Sequence, residues 1–309
     1  MFAFLFPGQG AQRPGMGTPW QDTPSWELVA RFAEVTDRDV GRLLLHAGAE
    51  ELKETANAQL ATFALSLVIL DAVRAGPAGA EAAPAATAGH SLGEYSALVA
   101  AGVLQPAEGA RLVAARGDAM AAATAARPGT MAAVLGLDPE AVADACQAVA
   151  DAWVANDNAS GQVVIAGTAD GVAAAIERAR RLGAKRVVPL AVGGAFHTPL
   201  MAPAQAALDT ALAAAPFSDA KVGCVANVDA EVHTSAAEWR RLLSLQLTSP
   251  VRWRASLLRL HHLGVTTFIE LGPGTELSGM VKRTVEGATR ANVASPEDLA
   301  MLDIVAAVA

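Results

Sequence analysis

Apolar residues along this chain come in two rhythms, short unbroken bursts and longer runs at helical spacing, and their alternation predicts a mixed α/β protein. The bursts at 2–6, 85–88, 131–137, 153–156, 162–167, 186–192, 222–225 and 266–270 read as strands. Helical spacing is carried by 26–35, 56–73, 94–101, 106–126, 139–150, 169–182, 236–247 and 251–263. The segment 74–86, rich in Gly, Pro and Ala, reads as a surface connection. Between 131 and 192 the elements run strand–helix–strand–strand–helix–strand, the order of a ferredoxin-like split βαβ unit. The reading is therefore a small subdomain at 128–192 inserted into a larger body made of 1–127 and 193–309.

Composition changes this picture only at the margins. At 309 residues and 31.5 kDa the chain can bury a sizeable core in one or two domains. A hydrophobic share of 52% with 17% charged residues excludes disorder, and a mean hydropathy of +0.32 raises the question of a membrane span. The longest uncharged stretch, 56–70, holds Asn57 and Gln59 and falls short of the roughly 20 apolar residues a span needs. Alanine supplies much of the apolar count, so the expectation is a soluble chain with no membrane partner. The net charge of −8 opposes nucleic-acid binding, which depends on neutralised phosphates. Cys146 and Cys224 form neither a metal-spaced pair nor a disulfide framework. The start has no basic segment and too short an apolar run for a signal peptide, so a reducing, cytoplasmic setting is the default.

The strongest chemical signal is Gly89-His90-Ser91-Leu92-Gly93, a G-x-S-x-G between an expected strand and an expected helix. Glycines on both sides of Ser91 permit a sharp corner that exposes its hydroxyl beside the positive end of the next helix. The N–H of Leu92 then faces a developing oxyanion, and Gly8-Gln9-Gly10 after the first strand could offer a second donor or be a simple tight turn. A serine nucleophile needs a base. His90 shares the elbow and is poorly placed, His46 reads as a packed or solvated helical residue, and His261 and His262 read as helix-end caps. His197, on the loop leaving the strand at 186–192, occupies the place where α/β folds put catalytic groups. Arg116, in an otherwise apolar helix, either snorkels to solvent or faces a carboxylate in a cavity.

These residues together resemble the malonyl-CoA:acyl-carrier-protein transacylases and the related acyltransferase domains of polyketide synthases. The likeness runs through Phe6-Pro7-Gly8-Gln9-Gly10, Gly89-His90-Ser91-Leu92-Gly93-Glu94-Tyr95, Arg116-Gly117, Asn158, Gly194-Ala195-Phe196-His197-Thr198, Gln246-Leu247 with Pro250-Val251-Arg252-Trp253, and Glu270-Leu271-Gly272-Pro273-Gly274. The resemblance implies an α/β-hydrolase-like body carrying the ferredoxin-like insert. It implies that Ser91 takes the acyl group from coenzyme A, with His197 as base and then acid. A backbone carbonyl near Gln246 would orient the imidazole, and the N–H groups of Gln9 and Leu92 would form the oxyanion hole. Arg116 would clamp the malonyl carboxylate, with Gln246, Phe196 and Asn158 also at the substrate. Malonyl-CoA enters as a substrate and no cofactor is implied. The second substrate would be an acyl carrier protein of fatty acid or polyketide synthesis, and a monomer is expected.

Phe196 before His197 resembles the malonyl-type version of this loop in related domains, where a bulky ring would leave little room for a 2-methyl branch, so the resemblance implies malonyl over methylmalonyl. Carrier proteins are acidic, so docking needs a local cationic patch. Arg178, Arg180, Arg181, Lys185 and Arg186 form one cluster, and Lys282 with Arg283 a second. Ser160, where the family has proline, and Asp157, where it has an aromatic, depart from the pattern in the loop region of the insert. Competing readings are a serine hydrolase using His261 or His262 as base, a proofreading acyl hydrolase, which has little use for Arg116, and a non-enzymatic carrier-binding module.

Overall fold

The computed structural model describes residues 1–76, 83–300 and 302. Most of the connection expected at 74–86 therefore lies outside the described residues. Two sheets organise the chain. The larger has six strands in the order β10-β9-β1-β2-β7-β8, formed by β1 (Phe2–Phe6), β2 (Ala86–Gly89), β7 (Gly223–Val225), β8 (Val232–His233), β9 (Thr267–Leu271) and β10 (Thr289–Val293). All its pairings are parallel except the short edge pairing β7–β8. Ala3, Phe4, Leu5 and Phe6 are buried, as expected of a central parallel strand covered on both faces.

The smaller sheet is antiparallel, in the order β4-β5-β3-β6, with β3 (Thr130–Leu135), β4 (Ala152–Ala159), β5 (Gln162–Gly167) and β6 (Arg186–Pro189). Helices Pro139–Gln147 and Ala169–Arg181 cover one face, packing Val142, Ala145, Val172 and Ala175 on Ala132, Val134, Val163 and Ile165. The alternate residues Met131, Ala133, Val164 and Ala166 join the main core on the other face. Asp157 in β4 forms an ion pair with Arg254 at 2.9 Å, and its N–H donates to the Val251 carbonyl at 2.9 Å, which ties the small sheet to the body. The residue that departs from the family pattern is thus an anchor.

Helix Thr55–Ala75 is long and apolar enough to cross a membrane by length and composition, yet it runs through the protein core with residues 58–70 all buried. Several elements differ from the expectation. β4 extends to Ala159 because Asn156, Asp157 and Ala159 pair with β5, with register shifts at Ala155 and Asn158 that break the alternation. β6 ends at Pro189 on the edge of the sheet, with Leu190 still donating to the Met131 carbonyl at 3.0 Å. Helices Ala49–Lys53 and Ala202–Ala214 and strands β8 and β10 were not anticipated as elements.

Candidate active site

β2 runs into the elbow at Ser91, whose φ of 52° lies in the left-handed region. The flanking glycines are steric necessities. A Cβ at Gly89 would sit 1.9 Å from the Gly93 carbonyl oxygen, and one at Gly93 would sit 2.1 Å from the Phe6 carbonyl oxygen. Helix Gly93–Ala100 starts directly after the elbow. Asn227, just past β7, holds the corner: its Oδ1 accepts the Ser91 N–H at 2.7 Å and its Nδ2 donates to the Gly89 carbonyl at 2.7 Å.

His197 reaches the same point from the other side, on the loop after β6, with φ 60°. Its Nε2 lies 2.7 Å from Ser91 Oγ and its Nδ1 lies 2.8 Å from the Gln246 carbonyl oxygen. A carbonyl only accepts, so Nδ1 carries the proton and Nε2 is the free base facing the hydroxyl. Burial and the nearby Arg116 charge push the imidazole down to about 3, so the resting base is neutral. None of the other histidines competes: His90 bonds Asn158 Oδ1 at 2.8 Å through Nε2, and His261 faces the Val265 carbonyl.

Arg116 does not snorkel. It is 1% exposed on helix Pro106–Ala126 and points into the site. Nη1 donates to Gln59 Oε1 at 2.6 Å, while Nη2 donates to Gln246 Oε1 at 2.9 Å and to Ser91 Oγ at 3.1 Å. Its contacts are neutral, and its plane lies 5.7 Å over the Tyr95 ring. Burial lowers the guanidinium pKa. Glu94, fully buried behind the elbow, is pushed up to about 8 by burial, against the pull of the Asn227 N–H, Gln246 and Arg116. Its bond pattern is that of a carboxylate, because both oxygens accept.

A cleft of about 210 Å³ lies in front of Ser91, between the large sheet and the small one. Gly8, Gln9, His90, Ser91, Arg116, Asn158, Phe196 and His197 line its polar end, and Met131, Val164, Leu190, Val192 and Met280 line an apolar wall. Among the described residues, the backbone N–H groups of Gln9 and Leu92 donate to no protein group. Gln246 stands behind the cleft, 0% exposed, with its side chain bridging Arg116 and the elbow. Gln59, Glu94 and Asn227 completed the site without being singled out beforehand. Gln59 is an uncharged polar residue in an apolar helix, Glu94 resembles an ordinary acidic first-turn residue, and Asn227 resembles a turn residue.

The model of the acyl transferase domain family matches residues 3–299. The chain belongs to the acyl transferase domain family. It is 43% identical over 303 residues to the malonyl CoA-acyl carrier protein transacylase of Bacillus subtilis, covering 96% of this chain and 94% of that one. The enzyme of the same name from Escherichia coli K12 is 39% identical over 306 residues, 97% of each chain. Among solved structures, an acyl-carrier-protein S-malonyltransferase from Bartonella henselae superposes with TM-score 0.94 at 35% identity, covering 99% of both chains. A malonyl-transacylase in complex with a type II polyketide synthase acyl carrier protein gives TM-score 0.92 at 37% identity, covering 97% of this chain and 98% of that one.

Of the two cationic clusters, Arg178, Arg180 and Arg181 are exposed on the helix that covers the small sheet's face away from the cleft. Arg180 is paired with Glu177 at 2.6 Å. Lys185 and Arg186 are exposed at the edge strand. Lys282 and Arg283 are exposed on helix Glu276–Thr284, whose Met280 lines the cleft. Arg283 also hydrogen-bonds Gln162 at the tip of the β4–β5 hairpin.

Proposed function

We infer that this acyl transferase moves a malonyl group from malonyl-CoA to the phosphopantetheine thiol of an acyl carrier protein through a malonyl ester on Ser91. The observation that carries the reading is Arg116 Nη2 at 3.1 Å from a serine Oγ that also meets a neutral histidine at 2.7 Å. A nucleophile and a fixed cation at this spacing suit an acyl group that ends in a carboxylate.

In the first half-reaction His197 Nε2 takes the Ser91 proton as Oγ attacks the thioester carbon. The N–H groups of Gln9 and Leu92 receive the oxyanion, each contributing roughly 3 kcal/mol in the transition state. Collapse expels the coenzyme A sulfur, which takes the proton back from His197. In the second half the carrier thiol gives its proton to His197 and attacks the ester carbonyl, and collapse expels Ser91 Oγ, which takes that proton from His197 and is restored. The Gln246 carbonyl holds the imidazole in the required tautomer throughout. Asn158 fixes His90 at the cleft wall, and the Phe196 ring restricts branching at the second acyl carbon.

The chain is read as an α/β-hydrolase-like body, 1–127 and 193–309, with a ferredoxin-like subdomain at 128–192; the strand order β4-β5-β3-β6 supports the second name. Lys282 and Arg283 are the better-placed carrier contacts, because their helix borders the cleft. Singly buried Cys146 and Cys224 favour a reducing, cytoplasmic setting. Intact-mass analysis after mixing with malonyl-CoA tests the reading. A malonyl adduct is expected that S91A lacks, that carrier protein removes, and that methylmalonyl-CoA forms poorly. Absence of any adduct in a single turnover contradicts the mechanism.

A further inference from the structure

Behind the nucleophile lies a layer of buried polar groups that the transfer chemistry leaves unused. Glu94, 1% exposed, turns its carboxyl inward. Oε1 accepts the backbone N–H of Asn227 at 2.7 Å, and Oε2 accepts from Nε2 of Gln246. The rest of the Gln246 amide is also committed. Nε2 donates to the Ser91 carbonyl at 2.8 Å, and Oε1 accepts from Arg116 Nη2 at 2.9 Å.

We propose that Glu94 is a positioning residue for acyl-group selectivity: it locks the Gln246 amide with its oxygen toward Arg116, which aims the guanidinium at the substrate carboxylate. The inference rests on reading Arg116 as that clamp.

The two orientations of a glutamine amide have almost the same shape, so the choice between them is made by donors and acceptors. Turned over, Gln246 would set its oxygen against the Ser91 carbonyl and the Glu94 carboxylate, and its NH2 against a guanidinium. Every contact would then join like to like, in a region where an unmet polar group is costly. The Asn227 N–H is backbone and cannot rotate away, so it fixes one Glu94 oxygen and leaves the other for Gln246. Only an acceptor at both ends satisfies the two neighbours. A glutamine at position 94 must keep its oxygen on the Asn227 N–H and present NH2 to Gln246. Gln246 then turns its oxygen to that NH2 and its own NH2 to Arg116, and the fork loses an acceptor and gains a donor. Glu94 never touches the acyl group, and the signal passes through one side chain.

The test is the second-order rate of Ser91 acylation by malonyl-CoA and by acetyl-CoA, followed by quench-flow and intact mass for wild type, E94Q, Q246A and E94Q/Q246A. Wild type should favour malonyl, and E94Q should lower the malonyl-to-acetyl ratio tenfold or more. On the Q246A background the same substitution should change the ratio less than twofold, because the relay is already cut. A wild-type ratio in E94Q, equal losses with both donors, or an undiminished E94Q effect in Q246A overturns the proposal. If circular dichroism shows E94Q unfolded, E94D carries the same expectation and the same refutation, since its shorter carboxylate retains the Asn227 N–H and withdraws from Gln246. A wild type with no malonyl preference overturns the clamp reading itself, and the inference with it.

Discussion

Asn227→Ala removes the brace that holds the nucleophile elbow. The Asn227 side chain is 1% exposed and makes two bonds of 2.7 Å, from the Ser91 N–H and to the Gly89 carbonyl. Alanine leaves both backbone groups unpaired where water has little access, at about 1–3 kcal/mol each. A loss of roughly 2–6 kcal/mol is expected, out of a total stability on the order of 5–15 kcal/mol. The catalytic effect follows from Ser91 itself. Its left-handed backbone stores about 1–3 kcal/mol of strain and persists only while its surroundings hold it. Once released, Oγ leaves its 2.7 Å contact with His197, and a displacement near 1 Å costs on the order of 100-fold in rate. Urea unfolding gives the stability and single-turnover malonylation gives the rate, both on the same preparation. An unfolding free energy within about 0.5 kcal/mol of wild type together with an unchanged rate would refute the reasoning.

Four further outcomes are expected. Arg116→Ala should cut malonyl acylation about 100- to 5,000-fold, since one partner of a buried charge pair is lost at roughly 3–5 kcal/mol. Acetyl acylation should not fall in parallel, and equal losses with both donors would remove the clamp. Because His197 is held at about 3 in the fold and ionises near 6.5 when unfolded, its base form persists as pH falls from 7 to 5. The acylation step should therefore stay flat across that range, and a halving near pH 6.5 would contradict it. The same shift makes the unfolded chain bind the extra proton first. The contribution of His197 to stability is thus full above pH 6.5 and declines towards pH 3, visible as a falling urea midpoint. Charge reversal at Lys282 and Arg283 should raise the KM for carrier protein more than reversal at Arg180 and Arg181, while leaving acylation by malonyl-CoA untouched. Equal effects of the two double variants would remove the cleft-side patch.

Much of this architecture was legible in the pattern of the chain, and the failures have physical causes. β1, β5 and helix Pro106–Ala126 agree residue for residue with their apolar runs, because each buries a continuous stripe or both faces. Helix Ala202–Ala214 escaped notice because alanine-rich spacing marks neither face strongly. β10 escaped because its exposed Thr289 and Arg290 disguise a sheet edge. The elbow and His197 announced themselves through motif and loop position. Arg116 was ambiguous for a specific reason: helical periodicity separates buried faces from exposed ones and does not distinguish a core from a cavity. The polar layer behind the site was invisible for the opposite reason. Glu94, Asn227 and Gln59 each have an ordinary role at their own place in the sequence, and only the fold brings them into one circuit.

Five non-glycine residues among those described adopt a positive φ, and two of them are Ser91 and His197, the proposed nucleophile and base. At both positions glycine would relieve the backbone. At Ser91 that relief would erase the hydroxyl, and at His197 it would also leave the Gln246 carbonyl without its partner and a hole where a buried ring packs. Keeping a serine in that backbone conformation is a continuing expense that turnover justifies. A stabilised version of this chain should therefore be sought in the helices far from the elbow, and any screen for one should read activity alongside melting.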